Sequence, residues 1–492
     1  MQSGSSGGIG ISIAGRDRII SGSGRREDCI RIIEAGLAAA DPARFMARHM
    51  RRDTITVPDA PTIKLDRYAA IYTVAFGKAA DTMSRAAGAI LQERLGAGII
   101  VLPRGSRSTA RGRKFRVINA GHPVPDHASV RAAKEAIKFL QARRDGELVI
   151  FLISGGGSAL LALPDGVTLG EKIHATNLLL RCGATIREIN SVRRCLSGVK
   201  GGRLAGHLRC DGIGLLMSDV EGDDPSVIAS GPTHVSDCGS VVGGNRSAGP
   251  SAVAAACQDA LSVLEKYGLL KKAGRAVTDR LRGRGRRMEP APAEAGGQNS
   301  GRMIGNHVIA RNSDCLEAMV EAGRSLGYHI SDRSPLRIFG GIKEAADLIY
   351  DAIPEGGREC VIFGGEPTVR VLGDGKGGRN QELVLRLLKK MQRGRRVGGR
   401  RGHSKGGRTG RGRTIVASVG TDGIDGNSIY AGAMTEDEPV DVNVINDAIR
   451  RSDSGGFFER HRRGEGGGTV PPSCIRTGPT HTNLMDIGLV LT

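Results

Sequence analysis

The stretch LVIFLISGGGSALLALP, residues 148–164, decides the fold. Its first six residues are apolar and uncharged, the pattern of a strand buried on both faces as in a parallel sheet. The run stops at Ser154, Gly155, Gly156, Gly157 and Ser158 before an apolar turn begins at Ala159. Glycine lets a backbone bend sharply and approach a ligand closely, so the stretch reads as a strand, a ligand loop and a helical start. The same cadence continues on either side. Short β-branched runs at 71–76, 98–102, 115–119 and 213–218 alternate with amphipathic stretches at 27–40, 78–95, 128–143, 169–181, 185–197 and 250–267. Such alternation predicts βαβ units, hence an α/β domain with a mainly parallel, Rossmann-like sheet covered by helices on both faces.

A chain of 492 residues has room for two or three domains. We expect a flexible, Gly/Ser-rich segment at 1–24 and the first α/β domain at 25–270. A Gly-, Pro- and Arg-rich linker or insertion without apolar periodicity follows at 271–304. Beyond it, strands at 307–310, 360–363, 368–372 and 414–419 and helices at 313–325, 343–352 and 380–391 predict a second α/β domain at 305–492. Within that domain lies a basic Gly/Arg-rich insertion at 393–413.

The formal charge is +20, from 71 Lys and Arg against 51 Asp and Glu. Much of the excess sits in two runs: 393–413 carries nine basic residues and no acid, and 279–287 carries five Arg against one Asp. The remaining body is only mildly basic, which argues against a surface-wide nucleic-acid footprint. No run approaches the ~18 apolar residues of a membrane span, and the N-terminus lacks the apolar core of a signal peptide. A cytoplasmic protein without membrane contact is therefore expected. Nine scattered cysteines without a C-x-x-C pair read as reduced thiols, not as a disulfide framework or zinc site.

Ligands of parallel α/β proteins collect where strands end and helices begin, and the polar clusters fall at such points. Lys78 follows an apolar strand at Gly77, where its charge opposes the helix dipole unless it holds an anion. The loop 154–158 can cradle phosphate with its N–H groups, although a tight turn alone would also explain it. It is neither G-x-G-x-x-G nor a Walker A loop. Asp219, Glu221, Asp223 and Asp224 follow another strand, and so many carboxylates repel one another unless solvated or bound to cations. Glu366 follows a Gly pair, and Arg379 and Asn380 open a helix behind another, with Arg379 suited to bidentate contact with carboxylate or phosphate. Asp422 and Asp425, in GTDGIDG, are candidate general bases or metal ligands, or simply Asp-Gly turns.

Taken together, GKAADTM (77–83), GHPVPD (121–126), SGGGSALL (154–161), ATNLLLRCGATIREINSVRRCLSGVKGGRLA (175–205), SDVEGDDPSVIASGPT (218–233), GGEPTV (364–369), KGGRNQE (376–382), GTDGIDG (420–426) and TGPTHTNLMDIGLVL (477–491) strongly resemble the glycerate 2-kinase family with its C-terminal MOFRL domain. The resemblance spans the chain from about residue 27, in the family's order. It implies ATP- and Mg²⁺-dependent phosphorylation of D-glycerate to 2-phosphoglycerate on two α/β domains, with the active site in the cleft between them. Phosphoryl transfer needs cations on the phosphoryl oxygens, carboxylates for the metal and a group orienting the attacking hydroxyl. The resemblance accordingly implies charge stabilisation and substrate carboxylate binding by Lys78 and Arg379. Residues 154–158 would cradle phosphate, Asp219, Asp223 and Glu366 would serve Mg²⁺ or nucleotide, and Asp422 or Asp425 would take the hydroxyl proton. Asn190, Arg193 and Lys200 are expected to face the ligand from one side of a helix. Three departures stand out: Asn427-Ser428-Ile429-Tyr430 where the family has an Asp after GTDGIDG, His481 where relatives tend to have Gly, and the unusual insertions at 279–302 and 393–413.

Some relatives carry a hydroxypyruvate reductase label, but a hydride-transfer enzyme would need a dinucleotide fingerprint, and none is present. Weak nucleic-acid contact through 393–413 is a second alternative; the segment lacks the interleaved aromatics that stack bases. The oligomeric state stays open, a homodimer included.

Overall fold

The computed structural model describes residues 11–20, 23–58, 60–110, 114–234, 250–284, 302–354, 356–398, 414–461 and 474–492. The chain divides into two compact units, Phe45–Ala310 in one and Met1–Arg44 with Arg311–Thr492 in the other.

The first unit is built on the strands Ala70–Phe76 (β1), Leu95–Pro103 (β2), Phe115–Ala120 (β3), Glu147–Ile153 (β4), Asp211–Met217 (β5) and Met303–Ala310 (β6). They form one sheet in the order β3-β2-β1-β4-β5-β6, with every neighbouring pair parallel. Burial on both faces explains the uncharged runs: Leu148 to Ile153 are all buried. The chain steps outward from β1 to β3, then crosses back to β4 and steps outward the other way. The order therefore reverses between β1 and β4, and a crevice forms outside the carboxyl ends of strands at such a reversal. Register pairs Phe76 with Ile153, so Gly77-Lys78 and Ser154-Gly155 leave the sheet side by side. The flanking helices start where side chains satisfy their first N–H groups. Thr168 with Glu171 and Thr185 with Glu188 form reciprocal capping boxes for the helices Leu169–Arg181 and Ile186–Cys195.

The second unit holds a mixed sheet of His329–Ile330 (β7), Leu336–Ile338 (β8), Glu359–Gly365 (β9), Ile415–Gly420 (β10), Gly432–Glu436 (β11), Cys474–Ile475 (β12) and Asp486–Leu491 (β13). Its order is β8-β9-β13-β10-β11-β12, with β7 also beside β9. Strand β13 inserts between β9 and β10 and runs antiparallel to both. Helix Gly24–Ala39 belongs here: Ile30, Ile33 and Leu37 make a buried stripe at helical spacing, and a Cβ on Gly36 would lie 2.8 Å from both Ile487 Cδ1 and Met319 Cγ.

The observed units differ from the expected domains 25–270 and 305–492. Residues up to Arg44 go with the second sheet, and β6 completes the first. The expected strand at 368–372 makes only a single bridge, Gly341 with Thr368. Val371 and Leu372 are 72% and 60% exposed, and the N–H groups of Leu372 and Gly373 donate to Ser452 Oγ instead of to a strand. Within the segment expected to be flexible at 1–24, Ile13 and Ile19 are buried and the Ala14 N–H donates to the Arg476 carbonyl at 2.7 Å; residues 1–10 and 21–22 lie outside the described residues. The expected linker 271–304 begins as the end of the helix Leu270–Ala273 and continues as the helix Arg275–Leu281, anchored by Arg280, which pairs with Asp165 at 2.5 Å in a buried setting. Its residues 285–301 lie outside the described residues, as do 399–413 of the basic insertion, whose start continues the helix Arg379–Gly398.

Because Gly36 has no room for a side chain, Gly36→Val should lower stability by about 1–3 kcal/mol in urea unfolding. An unchanged midpoint would contradict the docking of this helix on β13.

Candidate functional site

The expected site residues fall into two groups, one in each unit. In the first, the reversal between β1 and β4 positions the glycine loop. Ser154, fully buried, accepts the Ala79 N–H on its Oγ at 3.0 Å, and the Lys78 N–H donates to the Gly155 carbonyl at 2.9 Å. These bonds stitch the two strand ends together. Lys78 lies just before the N-cap Ala79, not in the first helical turn, because the helix starts at Ala80. The glycines are required by their neighbours. A Cβ on Gly77 would fall 2.1 Å from Ser154 Oγ, and one on Gly155 would fall 1.8 Å from Asp219 Oδ2. Gly156 has φ +82°, in the left-handed region. Asp219, from the end of β5, thus lies against the loop.

Behind the loop, Ser158 Oγ meets Ser230 Oγ at 2.8 Å, and Ser230 Oγ donates to Asn190 Oδ1 at 2.9 Å. Asn190 is 2% exposed, so it braces the loop. Lys200 is equally buried, and its Nζ donates to the Gly157 carbonyl at 3.1 Å. The helix bearing Asn190 and Arg193 ends at Cys195, so Lys200 does not share its face as the spacing suggested; it reaches the loop from the turn beyond. Lys172, which the sequence did not single out, completes a cationic group with Arg193 and Lys200. Its Nζ donates to the carbonyls of Leu196 and Arg193 at 2.9 and 3.4 Å, at the negative end of that helix. Burial, and then the charges of Arg193 and Arg203, push Lys172 down to about 7. Lys200 is pushed well below the ordinary ammonium range by burial and by Lys172 and Arg193.

In the second unit, Arg379 opens the helix Arg379–Gly398. Its Nε and Nη2 donate to Asp486 at 2.5 and 3.1 Å, and its Nη1 donates to Glu366 at 2.7 Å. Burial disfavours the guanidinium charge, yet Asp486 and Glu366 more than offset this and raise its pKa above the ordinary range. The Asp486 side chain is 2% exposed and that of Glu366 40%, so Glu366 is the exchangeable partner. Asp486 was missed by sequence reasoning. The available signal was an acid opening the apolar run 487–491 inside a motif already recognised.

Asp422 and Asp425 separate cleanly. Asp425 is 1% exposed and accepts the N–H groups of Asn380 and Gln381 at 3.0 and 2.8 Å, the position of a cap on the arginine's helix. Burial pushes its carboxyl up to about 7 despite these donors. Asn380, 2% exposed, takes a hydrogen bond from Ser418 Oγ at 2.6 Å and is a further tie. Asp422 is only partly buried. The departure at Asn427 has a structural role: its Oδ1 accepts the Gly377 N–H at 2.8 Å, joining the two loops. His481 has φ +54°, a backbone shape that glycine adopts at lower cost.

The fold and these loops define an α/β protein with a glycine loop at a sheet reversal. Residues 28–282 match a family described as a domain of unknown function (DUF4147), and residues 359–486 match the MOFRL family. The chain belongs to the glycerate 2-kinase family. It is 32% identical over 486 residues to a glycerate 2-kinase of Pyrococcus horikoshii, covering 95% of this chain and 97% of the relative. An Agrobacterium vitis relative named for hydroxypyruvate reductase is 32% identical over 480 residues, covering 94% and 93%. The crystal structure of a glycerate kinase from Thermotoga maritima superposes with a TM-score of 0.67 at 27% identity, covering 94% of this chain and 97% of that one.

Asp425→Ala should cost about 1–2 kcal/mol in urea unfolding, as loss of a helix cap does, while Asp422→Ala should stay within about 0.5 kcal/mol of the parent. Equal effects would contradict the division of roles. Lys172 binds a proton more readily when unfolded, so its contribution to stability should rise with pH from about 7 towards its ordinary value of 10.5 and level off below 7. Lys172→Met should remove that rise; an unchanged pH profile would show that the ammonium keeps its proton on folding.

Proposed function

We propose that this chain transfers the γ-phosphoryl group of ATP to D-glycerate, giving 2-phosphoglycerate. The observation that carries the reading is the glycine loop at the β1/β4 reversal with Lys78 bonded to it. Loop N–H groups and the Lys78 ammonium stabilise charge on the phosphoryl oxygens, where fixed donors act most strongly. Arg379 commits three of its five N–H groups to Asp486 and Glu366 among the described residues. Its role is to bind the glycerate carboxylate, which displaces the exposed Glu366 while buried Asp486 keeps the guanidinium in place. Asp422 is the acceptor of the hydroxyl proton.

Mg²⁺ fits the acidic segment after β5. Asp223 Oδ1 is buried and accepts no hydrogen bond among the described residues, and Asp219 lies against the loop. No group of three or more His, Cys, Asp or Glu gathers as a ligand set among the described residues, and Mg²⁺ needs only one or two carboxylates beside phosphate and water. Asp219 and Asp223 would hold it, and it would neutralise phosphate charge when bound. Among the described residues no helix is long and apolar enough to cross a membrane. The nucleic-acid contact considered for 393–413 falls largely outside the described residues and is supported by nothing further.

Phosphorus NMR of wild-type protein with ATP, Mg²⁺ and D-glycerate should show a 2-phosphoglycerate resonance. Lys78→Ala and Arg379→Lys should each lower turnover by about 10²–10³. No product from the wild type, or undiminished turnover in Lys78→Ala, would overturn the reading.

A further inference from the structure

His122 follows the end of β3 and is partly buried. It approaches the same glycine as Lys78. A Cβ on Gly156 would sit 2.8 Å from His122 Nε2, 3.0 Å from its Cδ2 and 3.5 Å from Lys78 Cγ. The imidazole edge and the lysine stem therefore lie over one face of Gly156, and the absence of a side chain there makes room for both. Side chains from three strand ends thus meet the loop after β4: Lys78 from β1, His122 from β3 and Asp219 from β5.

No hydrogen bond engages either ring nitrogen of His122 among the described residues, although Asp126 in the same loop is paired with Arg104 and caps the next helix. Neither ring nitrogen of the imidazole is fully buried, so both stay accessible to a ligand or to water. Burial, and then the Lys78 charge, lower its pKa below 6.5, so near neutral pH the ring has one donor and one acceptor nitrogen. A γ-phosphate can only accept from the ring N–H and cannot serve the acceptor nitrogen, and Lys78 already supplies cationic charge for its oxygens. An alcohol both donates and accepts.

We propose that His122 is a further substrate-contacting residue, its ring nitrogen hydrogen-bonding a hydroxyl of the acceptor at the glycine loop. The assignment rests on the proposed phosphorylation of D-glycerate and adds a group that orients the acceptor hydroxyl. It concerns binding geometry alone, with no bond made or broken at the ring.

The test is steady-state kinetics of the full chain with ATP, Mg²⁺ and D-glycerate. His122→Phe keeps the ring but removes its nitrogens, and should raise the KM for D-glycerate or lower kcat by about 10-fold while the KM for ATP stays within about 2-fold. His122→Gln, whose amide reaches about as far as Nε2, should recover most of the loss; His122→Asn, which falls short, should not. Wild-type kinetics in the Phe variant would overturn the inference, as would equal losses for both substrates in all three variants. Should the Phe variant fail to fold, the Gln and Asn pair decides: equal D-glycerate constants in the two would overturn it. A wild-type protein inactive on D-glycerate would instead sink the phosphorylation reading, so the two failures are distinguishable.

Discussion

The parallel pairing of β1 with β4 is the constraint on which the first unit depends. Their carboxyl ends are level, Phe76 against Ile153, so the two exits are forced into contact. Ser154 Oγ receives the N–H of the N-cap residue Ala79, and a Cβ at Gly77 or Gly155 would overlap Ser154 or Asp219. The backbone donors of the loop are thereby fixed before any ligand arrives, which is what makes electrostatic stabilisation effective. Lys200 and Asn190 brace the same loop from behind, so its rigidity is distributed over several elements.

The second unit solves a different problem, that of holding a cation at a helix start. A guanidinium at the N-terminus of a helix opposes the macrodipole, and burial adds to the cost. Asp486 offsets both with a two-point contact fixed on strand β13 between two neighbours. The helix N–H groups are satisfied separately by Asp425. One acid serves the side chain and another the backbone.

The βα junctions were legible because uncharged apolar runs broken by glycine admit few other structures, and the loop 154–158 and Lys78 came with them. Less was legible where the decisive partner is remote. Asp486 lies 107 residues from Arg379, and only the antiparallel insertion of β13 brings them together. Asp425 reads as a candidate base or metal ligand in sequence, and only the structure shows that it also accepts the first backbone donors of the arginine's helix. The strand expected at 368–372 had the right alternation, yet Ser452 takes its N–H groups. Helix Gly24–Ala39 was placed with the nearer domain because its buried stripe does not say which sheet it covers. His122 was visible within GHPVPD but acquired meaning only through its distance from Gly156.

The central claim is that the backbone at 154–158 receives phosphate. Hydrogen–deuterium exchange of the peptide spanning 148–164, followed with and without a non-hydrolysable ATP analogue and Mg²⁺, tests it directly. The account predicts slowed exchange at the amides of 155–158 at saturating analogue. Unchanged exchange there, in a preparation that turns over D-glycerate, would contradict it.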